Sequence, residues 1–191
     1  MSEEDEFMEG HTVSYSQTTI TELMIPAYAN FGGKIHGGIL LSLMDKVAYA
    51  CASRHAGTYC VTVSVDTVNF LQPVEVGELV SLKASVNYVG TSSLVVGIKV
   101  IAENIRTGAI KHTNTSYLTM VAKSDDNQKA IVPRLILEQD DDIRRFVAAS
   151  KRKRLRAYAK EAMITYTDEF KYDDGVRSFL KDQRCEVRCE E

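Results

Sequence analysis

Ile39-Leu40-Leu41-Ser42-Leu43-Met44-Asp45-Lys46-Val47-Ala48-Tyr49-Ala50-Cys51-Ala52-Ser53-Arg54-His55 is the stretch that decides the fold. Apolar residues fall on nearly every side of it, so it reads as a helix enclosed by other structure rather than one lying on a surface. Gly57 ends it, just after the basic pair Arg54-His55, which suits the negative end of a helix dipole. Ahead of it, the segment Ala29 to Gly38 holds Gly32, Gly33, Gly37 and Gly38 and reads as a loop whose backbone can be approached closely.

Beyond the helix the hydrophobic period changes to two. Residues 60–72, 78–89, 93–105 and 109–122 read as four strands, most clearly where Val80, Leu82, Ala84, Val86 and Tyr88 alternate with polar neighbours. Gly77, Gly90 and the stretch 104–108 mark turns, and short connections favour antiparallel neighbours in a meander. An earlier strand is expected between His11 and Met24, stopped by Pro26. The fold class is therefore α+β: an antiparallel sheet wrapped around a central helix. Domain organisation follows from composition. Residues 1–10 are an acidic, flexible N-terminus, 11–123 the sheet-and-helix domain, 124–137 a polar linker, 138–171 a C-terminal helical extension and 172–191 a charged tail expected to be disordered.

Composition narrows the function. Hydrophobic residues make up 45% and charged residues 26%, which excludes an intrinsically disordered chain. A net charge of −3 gives no global attraction to nucleic acid or anionic membrane. No apolar run approaches the roughly 18 residues needed to span a bilayer, and the acidic start lacks the apolar segment of a secretory signal, so a cytoplasmic protein is expected. Of the four cysteines, Cys51 and Cys60 sit among apolar residues, while Cys185 and Cys189 lie in the polar tail without further ligands nearby, so no metal site is expected.

Asp45 does not fit its surroundings. A carboxylate among apolar helix neighbours is costly unless it is paired or hydrogen-bonded, and Lys46 points about 100° away around the helix. Two readings stay open at this stage: a catalytic carboxylate, or a structural Asp held by a strand residue or a subunit contact. The glycine loop favours the first. The opening N–H groups of a helix have no intrahelical acceptor and carry partial positive charge, suited to polarising a carbonyl and stabilising a tetrahedral oxyanion. Asp45 lies roughly 10 Å further along the axis, too far for one small group to use both on the same helix. Asn30 offers a neutral donor and acceptor for water or substrate. His36 reads as a base or, preferably, as a helix-entry side chain facing an anion.

The stretches Asn30 to Gly38, Leu43 to Ala48, Arg54 to Gly57, Val61 to Asp66, Asn69 to Val74, Gly77-Glu78 and Val89 to Ser93 together resemble the hotdog-fold acyl-CoA thioesterases over about residues 12 to 123. The resemblance implies a five-stranded antiparallel sheet around the central helix, joined to a second protomer, with an active site shared between the two. Asp45 would be the general base (or, second, a nucleophile), Asn30 of the partner subunit would position water or thioester, and the Gly38 N–H would be an oxyanion donor. Coenzyme A would lie against Val63, Ser64 and Val65 and the turn Gly90, Thr91, Ser92, Ser93 and Leu94, with His36 and Gly37 at the helix entry. The tail resembles a helical extension of this branch, and its Lys151 to Lys160 cluster, Arg152 and Lys153 above all, would meet a CoA phosphate. The expected activity is fatty acyl-CoA hydrolysis with no cofactor beyond the CoA of the substrate, by at least a dimer and on family precedent a homohexamer built as a trimer of dimers. An acyl-thioester dehydratase or hydratase using His36, and a non-catalytic acyl-CoA sensor, are the alternatives.

Overall fold

The computed structural model of the chain describes residues 9–188. These form two units, one up to Ser150 and one from Lys151. The first contains strands β1 (His11–Thr12), β2 (Thr18–Leu23), β3 (Tyr59–Val65), β4 (Glu78–Val89), β5 (Ser93–Asn104), β6 (Ala109–Lys123) and β7 (Leu135–Ile136), a one-turn helix α1 (Val13–Ser16) and the central helix α2 (Gly37–Ala56). Helix α3 (Asp140–Glu169) begins in the first unit and continues in the second, which also holds α4 (Asp174–Lys181).

Helix α2 buries Leu40, Leu43, Met44, Val47, Ala48, Cys51, Ala52, His55 and Ala56. That spacing of three and four residues is one face of a helix. It packs on the inward side chains of β4, β5 and β6, among them Val80, Leu82, Val86, Leu94, Val96, Ile98, Leu118 and Met120. The expectation of a helix enclosed on all sides is corrected. Leu41, Ser42, Asp45, Lys46 and Tyr49 form an exposed strip, with Leu41 at 40% and Tyr49 at 44% exposure. Gly57 caps the helix in the left-handed region at φ 69°, where its N–H bonds to the Ser53 carbonyl.

The five-stranded sheet has the order β2-β4-β5-β6-β3. All its pairings are antiparallel. The simple meander is corrected here: β3 lies at the far edge beside β6, not beside β4, and the connection 66–77 crosses over to reach β4. Strand β3 is also shorter than the 60–72 expected, because beyond Val65 the chain leaves the β6 ladder. The segment 11–24 is not one strand but β1, α1 and β2, turned by Thr12, whose side chain accepts from the Tyr15 N–H. The stretch read as a linker carries β7, which pairs in parallel with β1. The stretch read as a disordered tail contains α4, while residues 1–8 of the expected flexible start and Cys189 lie outside the described residues.

One close approach inside the sheet depends on glycine. A Cβ on Gly97 of β5 would stand 2.1 Å from the Oδ1 of buried Asn87 on β4. The bare backbone at Gly97 leaves room for that amide, which donates to Ser85 Oγ at 3.1 Å.

Candidate active site

Strand β3 and helix α2 meet through Thr62 and Asp45. The Thr62 hydroxyl donates to Asp45 Oδ1 at 2.6 Å. That length is typical of a hydroxyl bound to a carboxylate. The hydroxyl also sits 3.0 Å from Met120 Sδ, but it has one proton, and the carboxylate oxygen is the far stronger acceptor. Thr62 owes its position to a β-bulge: β3 runs in register with β6 through Thr62 and Met120, then skips one residue before Ser64 pairs with Thr119. Val63 is the extra residue and is exposed. Bulges re-aim side chains in this way and are frequent beside active sites. Asp45 is therefore on the exposed strip of α2, held from one side by an edge strand and open on the other.

The sequence reading assigned no role to Thr62. A cue was present: Cys60 is buried, and a period of two puts Thr62 on the same face, a polar group directed toward the apolar helix.

The glycine loop is organised by Asn30. Its Oδ1 accepts the N–H of Gly32 at 2.9 Å and of Lys34 at 3.2 Å, which leaves the amide NH2 as the donor Asn30 can offer a ligand. Backbone bonds from Asn30 to the Lys34 carbonyl and from His36 to the Tyr28 carbonyl close the loop and deliver the chain to the start of α2.

His36 is the N-cap of α2, with Nδ1 accepting the Gly38 N–H at 2.9 Å. The Gly38 N–H, expected as an oxyanion donor, thus has an acceptor within its own helix entry. Gly37 lies close under the Phe70 ring, 3.3 Å from where a Cβ would stand.

The residues expected to meet CoA are dispersed along one end of the sheet. Ser93 at the start of β5 and Val61 on β3 both pair with Val121 of β6, so β3 and the 90–93 turn flank the same strand. Val63 and Val65 are exposed and Ser64 is half-buried. The turn is closed by a bond from Gly90 N–H to the Ser93 carbonyl. The carbonyls of Thr91 and Ser92 are taken by the N–H groups of Val132 and Ala122, so they are less available to a ligand than an exposed turn suggests. Leu94 is fully buried in the core. Arg152 and Lys153 belong to α3 in the second unit.

Other reactive side chains are ill suited to nucleophilic or base chemistry. Burial pushes the Cys51 thiol up to about 12 and raises Cys60. Burial also pushes the His55 imidazole below its usual range, although the Pro133 carbonyl, which accepts from Nε2 at 3.2 Å, favours the protonated ring. Among the described residues no cluster of His, Cys, Asp or Glu is arranged to hold a metal ion, and no helix is long and apolar enough to cross a membrane.

A curled five-stranded antiparallel sheet around one central helix is the hotdog architecture. Residues 32–109 match the thioesterase superfamily. Protein VdlD of Helicobacter pylori is 43% identical over 145 residues, covering 76% of this chain and 83% of that one. The uncharacterized acyl-CoA thioester hydrolase YkhA of Bacillus subtilis is 37% identical over 128 residues, covering 67% of this chain and 74% of its own. An apo-hexameric acyl-CoA thioesterase superposes with TM-score 0.77 and 31% identity, over 80% of this chain and 98% of that one. The Staphylococcus aureus acyl-CoA hydrolase, solved with butyryl-CoA, CoA and CoA disulfide, superposes with TM-score 0.73 and 28% identity, over 83% and 99%. Variants of that enzyme with one asparagine, one aspartate or one threonine changed to alanine also align. The chain belongs to the thioesterase superfamily, within its acyl-CoA hydrolases.

Proposed function

We propose that the protein hydrolyses fatty acyl-CoA to the free acid and CoA, with Asp45 as general base for the attacking water. The observation that carries this reading is the 2.6 Å bond from Thr62 to Asp45 on the exposed strip of α2. It orients one carboxylate oxygen and leaves the second for water. Asp45 takes a proton as the water oxygen attacks the thioester carbon. The resulting oxyanion is stabilised by N–H groups at the entry of α2 and by Asn30 of the partner subunit. The C–S bond then breaks, and the proton on Asp45 passes to the departing CoA sulfur. For Gly38 to serve as the oxyanion donor, its bond to His36 must be shared or released.

Spacing in a relative supports the choice of residues. In the Staphylococcus aureus chain the altered asparagine, aspartate and threonine follow one another at intervals of 15 and 17 positions, as Asn30, Asp45 and Thr62 do here.

The shared site is supported by the free edge of the sheet. Strand β3 ends the sheet order and exposes Tyr59, Val63 and Val65, with Tyr59 against the exposed Tyr49 of α2, an apolar edge suited to pairing with a second copy. The hexameric relative supports further association of such dimers. In this reading CoA lies along Ser64 and the Thr91–Ser93 turn. The enzyme acts in the cytoplasm, in fatty acyl-CoA turnover, without a metal or redox cofactor. An acyl-CoA panel from acetyl to palmitoyl, followed by thiol release with enoyl-CoA hydration monitored in parallel, tests the reaction. Thiol release that depends on Asp45 supports it, and hydration without thiol release overturns it.

A further inference from the structure

Within the second unit, helix α3 carries a stripe that its own chain leaves open. Leu155, Tyr158, Ala162, Thr165 and Glu169 recur at intervals of three and four, so they run down one side of the helix, with Tyr166 beside them. Leu155 is 67% exposed, Tyr158 73% and Tyr166 59%. Tyr158, Glu161, Ala162, Thr165, Tyr166 and Glu169 line an open depression. Ala162 is its small central residue, and the two tyrosines stand four positions to either side.

The same helix is electrically divided. From Lys151 to Lys160 it carries six cationic side chains and no carboxylate, and from Glu161 to Glu169 three carboxylates and no cation.

We propose that this stripe pairs, antiparallel, with the same stripe of a second copy of the chain, about a two-fold axis at Ala162. An isologous contact demands a self-complementary surface, and this one has that property only when the two helices run in opposite directions. Antiparallel pairing sets Tyr158 level with Tyr166 of the second copy and Leu155 level with the aliphatic stem of Glu169. The small side chain of Ala162 lets the helices approach at the crossing point. On one flank of the contact, 100° per residue brings Arg154 alongside Asp168 and Glu169 of the second copy, so the basic half of each helix lies on the acidic half of the other. Parallel pairing would stack like charges along the whole length. The contact uses the second unit alone and does not depend on the assignment of Asp45.

Site-directed cross-linking of the full chain, with Cys185→Ser and Cys189→Ser as background, tests this. Ala162→Cys should give several-fold more disulfide-linked dimer under mild oxidation than Ala157→Cys, which points about 140° away around the helix. Leu155→Cys and Glu169→Cys should cross-link to each other when co-expressed and neither should cross-link alone. Homodimers of Leu155→Cys or of Glu169→Cys would mean a parallel contact and overturn the proposal. Equal yields from Ala162→Cys and Ala157→Cys would mean that something other than a second copy covers the stripe, and would overturn it as well. Retained acyl-CoA hydrolysis by each variant shows that the remainder of the chain is folded.

Discussion

Thr62, on the sheet's edge strand, and Asp45, two turns into the central helix, are joined by a 2.6 Å hydrogen bond that ties β3 to α2. The bond arises from a bulge at Val63 on one element and an exposed strip on the other, so neither element alone accounts for it. If the carboxylate works as base, the hydroxyl is what holds it in line. Asp45→Asn should lower kcat by about 10²- to 10⁴-fold, the usual contribution of a positioned general base. Thr62→Ala should lower it by about 10- to 150-fold, in keeping with about 1.5–3 kcal/mol for a hydrogen bond to a charged group. Thr62→Ser should recover most of that loss. Steady-state thiol release measures all three, and wild-type turnover by Asp45→Asn would exclude this mechanism.

The cap of α2 makes a prediction about stability. His36 Nδ1 satisfies the Gly38 N–H, and Asn carries an oxygen able to do the same. His36→Ala should cost about 1 kcal/mol and lower Tm by about 2–4 °C, whereas His36→Asn should lie close to the parent. Thermal melts followed by circular dichroism distinguish them, and equal melting of the two variants would mean that the cap contributes nothing.

The Gly97 site predicts a larger loss. An alanine there brings its Cβ against the buried Asn87 amide, and Asn87 has little room to yield because it is only 4% exposed. Gly97→Ala should destabilise the fold by about 1–3 kcal/mol, as overpacking does. Gly97→Ala combined with Asn87→Ala should be more stable than Gly97→Ala alone. Urea unfolding measures both.

His55 sets a pH dependence. It is fully buried, and burial holds its folded-state pKa below the ordinary 6.5 of a histidine. Above about 6.5 the ring is neutral in both folded and unfolded chains, and the folded state bears no penalty. As the pH falls below that value the unfolded chain binds a proton that the folded one resists, so stability drops. His11, whose ring lies 5.4 Å from that of His55, adds repulsion if both rings charge. Tm should fall between pH 7 and 5.5, and His55→Gln, which keeps a donor for the Pro133 carbonyl, should show a flatter profile. A parallel decline in both proteins would assign the effect to other groups.

Much of this architecture can be read from periodicity. The boundaries of β4, β5 and β6 and the extent of α2 are visible because alternation and helical spacing are local properties of the chain. The order of the strands is not local. Whether β3 neighbours β4 or β6 depends on the crossover at 66–77, and composition says little about where that segment travels. The exposed strip of α2 escaped for a related reason: Leu41 and Tyr49 are as apolar as the core residues between them, and only the sheet's position tells the faces apart. Asp45, Asn30 and the helix entry stand out as polar or glycine-rich residues in unusual settings. The pairing of Thr62 with Asp45 becomes visible only when side chains from separate segments are brought together, because strand alternation shows the face of Thr62 but not its partner.

Strand β1 lies beside β7, the His11 N–H bonds to the Arg134 carbonyl, and the Val132 N–H bonds to the Thr91 carbonyl. The smallest piece of this chain able to stand alone therefore extends well past the last long strand. A fragment stopped at Lys123 would lose the clasp that ties its beginning to its end, and would leave polar backbone atoms at both places without their mates. Expression of the sheet-and-helix unit by itself should include everything through Ile136, and a fusion joined directly to Lys123 would cut through folded structure rather than through a spacer.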